Sequence, residues 1–146
     1  MLRLSLLAAL AILSAMPANA AERFNCAADD ANAKLSLDLA FDDKGTRPVT
    51  HFRGALIAKQ QGVPAGFHQL MLDSSQLIHY WSYEGELRLE MFGKGEGNDS
   101  GKSFDLIVAA DRKAQTGPIA GSYLLTFSAD GAKPLQFKGS LGCIAK

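Results

Sequence analysis

Cys26 and Cys143 are the only two cysteines in this 146-residue chain, and one stands near each end of its hydrophilic part. Two cysteines allow one intramolecular pairing. In a chain that leaves the reducing cytosol, an even count favours a disulfide. Such a bond closes nearly the whole chain, and for a loop of about 100 residues the chain-entropy model gives roughly 4–5 kcal/mol of stabilisation. It also fixes a fold constraint: the first and last elements must be neighbours, with Cα atoms about 5–6 Å apart. A two-cysteine metal site would need imidazole or carboxylate partners, and neither cysteine has a histidine within twenty residues.

Export is expected from the first twenty residues. Arg3 supplies a positive start, and Leu4 to Met16 is apolar apart from Ser5 and Ser14. Pro17 breaks any helix, and Ala18-Asn19-Ala20 has the small-x-small pattern of a signal peptidase site. A membrane anchor would need about 18 apolar residues, more than this run provides. A lipoprotein would need a cysteine directly after the site, where Ala21 stands instead. The reading is a cleavable signal over residues 1–20 and one all-β domain over 21–146, delivered to a bacterial periplasm or secreted. No later segment is apolar enough to insert in a membrane.

Removing the signal leaves 14 Lys and Arg against 15 Asp and Glu, a net charge of −1. That balance gives no electrostatic basis for nucleic-acid binding. No Lys/Arg-rich amphipathic stretch suits a membrane surface either.

Period-two alternation dominates the mature chain. Leu35, Leu37, Leu39 and Phe41 alternate with Lys34, Ser36, Asp38 and Ala40, a half-buried strand ended by Asp42-Asp43-Lys44-Gly45. Further strands are predicted over 49–59, 67–72, 77–83, 86–92, 104–110, 119–127 and 135–143. With a first strand around Cys26, this makes eight or nine short strands separated by turns. The expected fold is a single antiparallel β-barrel or β-sandwich, its first and last strands tied by the disulfide. Gly54, Gly121 and Gly139 each follow an apolar residue by two positions inside a strand. That repeat predicts bends or bulges of the kind found at barrel corners.

The segment with the most chemistry is His79 to Glu90. A two-residue turn at Glu84-Gly85 sets Tyr83 opposite Glu86, Trp81 opposite Arg88, and His79 opposite Glu90. One face then gathers His79, Trp81, Tyr83, Arg88 and Glu90 as a candidate binding surface, with Trp81 over Arg88 as a cation–π pair. The other face carries Ile78, Tyr80, Leu87, Leu89 and Met91 and is expected in the core. The competing reading is a solvated outer face held by cross-strand pairs worth about 0.2–1 kcal/mol each.

Catalytic signatures are absent from the sequence: no G-x-S-x-G, H-E-x-x-H, Walker or G-x-G-x-x-G motif occurs. His51, His68 and His79 fall on three predicted strands and could converge on zinc, although their spacing matches no compact ligand motif. The Gly-rich loop 94–102 lacks the ordered oxygen spacing of a calcium site. Asp29-Asp30 and Asp42-Asp43 are read as turn acids. No cofactor is expected. Three functions follow in order: a non-enzymatic exported binding protein with a protein partner, including inhibition of a hydrolase; a carrier of a small apolar ligand in the barrel interior; and a metal protein or enzyme using His51, His68 and His79.

Overall fold

The computed structural model describes residues 22–42, 48–83, 86–111 and 118–145. The expected signal peptide, most of the turn after Phe41 and the Glu84-Gly85 turn lie outside these residues. Nine antiparallel strands form one sheet curled into a nearly closed barrel: β1 (Glu22–Asp29), β2 (Ala33–Phe41), β3 (Val49–Ala58), β4 (Gln69–Asp73), β5 (Leu77–Tyr83), β6 (Glu86–Lys94), β7 (Lys102–Asp111), β8 (Pro118–Ala129) and β9 (Leu135–Ala145). Strand order across the sheet is β4-β3-β2-β1-β9-β8-β7-β6-β5.

That order is two meanders laid side by side. The first runs β1 to β4 and the second β5 to β9, so each strand pairs with its sequence neighbour within its own half. Among the described residues, the halves pair strand to strand only where β1 meets β9, over Phe24↔Ala145 to Ala27↔Gly142. Cys26 faces Cys143 inside this short ladder, and the two form the disulfide. Their Cα atoms are 4.0 Å apart, closer than the separation expected from sequence, and nearer the about 4.5 Å of a non-hydrogen-bonded pair in an antiparallel ladder. On the far side the sheet does not close. β4 and β5 are its two edges, although only the Asp73–Gln76 turn separates them in sequence.

Alternation in the sequence becomes inside and outside of the barrel. Phe24, Leu35, Leu37, Leu39, Leu89, Met91, Leu106, Val108 and Leu125 are all 2% exposed or less. One end of the barrel is filled by rings. A 3-10 turn over Ala65–Phe67 inserts Phe67 between Phe104 and Phe127, at centroid distances of 5.8 and 5.9 Å. Phe137 continues the cluster from β9, 6.4 Å from Phe127. Phe67 therefore belongs to this turn rather than to the following strand, which starts at Gln69.

The glycine repeat has a different cause from the one expected. Strand register runs unbroken through Gly54, Gly121 and Gly139, and the irregularities fall instead at Ala40/Phe41 and Leu77/His79. Space is what these positions lack. A Cβ on Gly139 would lie 2.1 Å from Asp30 Oδ2 and 2.5 Å from the Tyr123 ring. A Cβ on Gly54 would lie 2.7 Å from a Leu37 methyl.

Gly139 makes room for a polar lock in the interior. Tyr123, only 2% exposed, donates its hydroxyl hydrogen to the Asp30 carboxylate, both of whose oxygens are 2.8 Å away. Asp30 also accepts the backbone N–H groups of Asn32 and Ala33, which shapes the β1–β2 turn. Burial pushes the Asp30 pKa up, but bonds from Ala33, Tyr123 and Asn32 and the charge of Lys59 outweigh it and leave the carboxyl below its ordinary value. Burial and the Asp30 charge raise the Tyr123 pKa, so the phenol stays a donor. Tyr123→Phe removes a hydrogen bond to a charged acceptor. It should lower unfolding free energy by about 1.5–3 kcal/mol, measured by urea denaturation at pH 7.

Candidate functional site

The β5–β6 register is the one inferred from the sequence: His79↔Glu90, Trp81↔Arg88 and Tyr83↔Glu86. His79, Trp81, Arg88 and Glu90 lie on the outer face, while Leu87, Leu89 and Met91 of β6 are buried. The Glu84-Gly85 turn and the Tyr83 side chain lie outside the described residues.

Two side chains depart from the expected core face. Ile78 is 46% exposed and Tyr80 42% exposed. Ile78 is the extra residue of a bulge between Leu77 and His79. Tyr80 leans inward to within 6.1 Å of the Phe41 ring but is left partly uncovered. Both follow from topology: β5 is an edge strand, so no further strand walls off its inner side. Trp81, on the outer side, is 47% exposed. β5 thus presents Ile78, Tyr80 and Trp81 in sequence positions 78–81, and across the opening β4 presents Met71, 79% exposed.

The charged members of the face are tied to one another. His79 Nδ1–H donates to Glu90 Oε2 at 2.8 Å. Arg88 donates to Asp111 Oδ1 at 2.9 Å and to the carbonyl oxygens of Leu87 and Ala110. The guanidinium also lies 3.8 Å from Glu86. The face therefore offers hydrogen-bonding groups already held in place, with little uncompensated charge.

Each of the three histidines has its own partner. His51 Nε2 lies 3.5 Å from Asp38 Oδ2, His68 Nδ1–H donates to the Ala58 carbonyl at 3.1 Å, and His79 engages Glu90. Among the described residues, no three His, Cys, Asp or Glu side chains gather as metal ligands would. In loop 94–102, Asp99 accepts the Gly66 N–H at 2.8 Å and pairs with Lys102 at 2.7 Å. That carboxylate joins two loops and is not directed at an open site.

Two features escaped the sequence reading. Asp105 of β7 has Oδ1 shielded from water and without a partner. Burial, and then the charge of Glu90, raises its pKa above the ordinary carboxylate value. The second is a trough of about 540 Å³ on the outer face of β7, β8 and β9. Its lining residues come from three strands whose adjacency only the topology reveals. The interior, by contrast, is occupied by the buried side chains of both meanders.

No family model, curated protein or solved structure matches the chain.

A raised carboxyl pKa means that the folded state holds the proton more tightly than the unfolded chain. Asp105 then costs stability above its folded-state pKa and costs nothing below the unfolded value of about 4. Asp105→Asn should stabilise the protein by about 1 kcal/mol at pH 7, with the gain vanishing as pH falls toward about 4. Urea midpoints recorded across that range check both the sign and the window.

Proposed function

We propose that this chain is an exported, non-enzymatic binding domain that takes an extended segment of a partner protein along β5. The observation that carries this reading is an edge strand left open with Ile78, Tyr80 and Trp81 each more than two-fifths exposed.

A free strand edge presents a row of backbone donors and acceptors, and natural proteins blunt such rows with lysine, proline or shortening. β4, the other edge, is short at five residues. β5 has seven residues, with neither lysine nor proline, and its only device is the bulge at Ile78. Strand addition supplies affinity through the main chain and specificity through alternate side chains. Trp and Tyr beside the edge are the residue types that anchor interfaces, and the Arg88 and His79 pairs form a polar rim around them. A hydrolase that binds extended chains is one class of partner suited to such an edge.

The compartment reading belongs to the same proposal. A disulfide between the only two cysteines is compatible with an oxidising environment, and the small-x-small site at Ala18–Ala20 supports delivery to the periplasm or medium.

A photo-crosslinker at position 78 should capture a partner from an extract of the exported compartment, with the crosslink mapping to an extended segment of that partner. Truncation of an anchoring Trp costs about 2–4 kcal/mol, so Trp81→Ala should weaken binding of that partner by about 30-fold or more. The thermal midpoint should change little, as for a surface substitution. Undiminished binding by Trp81→Ala, measured on the purified pair, would remove β5 as the recognition element.

A further inference from the structure

A trough on β7, β8 and β9 adjoins the β5–β6 face on the outside of the barrel. The registers set Ile107 beside Leu124 and Leu124 beside Lys138, and in the next row Ala109 beside Ser122 and Ser122 beside Ser140. These six residues line the trough of about 540 Å³. That volume is within the range of about 300–1,000 Å³ typical of small-molecule sites. Ala109, Ser122 and Ser140 keep the floor low, and Ile107 and Leu124 supply an apolar wall, Ile107 being 40% exposed.

The charge pattern is one-sided. No carboxylate lines the trough. Lys138 brings an ammonium to one end of the Ile107–Leu124–Lys138 row, and it makes no ion pair among the described residues. Lys34 and Lys59 are engaged on Asp29 and Lys102 on Asp99, whereas Lys94 and Lys133, like Lys138, make no ion pair among the described residues. Asp29 is thus already shared by two lysines, and Asp30, beside Gly139, is engaged by the Tyr123 hydroxyl. At the other end of the row stands Glu90, beside Ile107 and bonded to His79. Three strand spacings, about 14 Å, separate Glu90 from Lys138.

We propose that this trough binds a small amphipathic anion, with its apolar body along Ile107 and Leu124 and its carboxylate or sulfonate at Lys138. Ser122 and Ser140 hydroxyls stand beside the anionic head and donate to it. Glu90 fixes the orientation by repelling that head from the opposite end. The ligand therefore sits on the outside of the barrel across β7, β8 and β9, with Glu90 of β6 at the border it shares with the β5–β6 face.

The probe is 8-anilinonaphthalene-1-sulfonate, an aromatic sulfonate whose fluorescence rises in apolar surroundings, titrated into the disulfide-intact protein at low salt. Saturable binding at one site is expected, with amide shift changes in NMR confined to β7, β8 and β9. Lys138→Glu replaces attraction by repulsion and should weaken the probe by about 5–30-fold. Ser122→Trp should abolish binding by filling the floor, and circular dichroism confirms that each variant is folded. The uncharged analogue N-phenyl-1-naphthylamine should bind more weakly and be indifferent to Lys138→Glu. The proposal is overturned if the sulfonate fails to bind, if Lys138→Glu leaves its affinity unchanged, or if the shift changes fall on other strands.

Discussion

Everything in this fold depends on one short ladder. Each meander, β1–β4 and β5–β9, is built from hairpins between strands adjacent in sequence. Only the β1–β9 pairing joins them across the sheet, and it spans Phe24 to Ala27 on one side and Gly142 to Ala145 on the other. By length alone this is a weak junction. The Cys26–Cys143 bond lies within it and links positions 117 residues apart in sequence. It thereby removes the loop-closure entropy that such a distant pairing must otherwise overcome. A covalent clasp is placed where the hydrogen-bonded sheet has least to hold it.

Closing one side by a clasp leaves the other side open, and the candidate binding surface is a consequence. The connection between β4 and β5 is a tight turn, yet the two strands do not pair, so the barrel ends in two edges. Tyr80 and Ile78 are uncovered for that reason, and Trp81 stands beside them. Inside, the packing tolerates no comparable gap. Phe67 fills one end among Phe104, Phe127 and Phe137, and Gly139 is kept free of a side chain so that Tyr123 can reach Asp30. The outer trough arises from the same economy of small residues on the opposite face, where Ala109, Ser122 and Ser140 stand in one row.

Local patterns were legible and neighbour relations were not. Alternating Leu35, Leu37 and Leu39 was enough to place β2, and the turn position at Glu84-Gly85 was enough to pair His79 with Glu90 and Trp81 with Arg88. The cysteines predicted that first and last strands adjoin. Period-two alternation cannot say which strand lacks a neighbour, so Ile78 and Tyr80 read as core when they border an opening. Glycine in a strand signals either a bend or a crowded wall, and only the positions of Leu37, Asp30 and Tyr123 distinguish the two. Lys138, Leu124 and Ile107 carry no shared motif, because three separate strands bring them together.

Amide hydrogen exchange, compared between the oxidised and the reduced protein, tests the clasp most directly. Reduction is expected to cost β1 and β9 at least about tenfold in protection at Phe24–Ala27 and Gly142–Ala145, while the β6–β7–β8 ladders keep theirs. Unchanged protection at the β1–β9 junction, or an equal loss in every strand, would contradict that expectation.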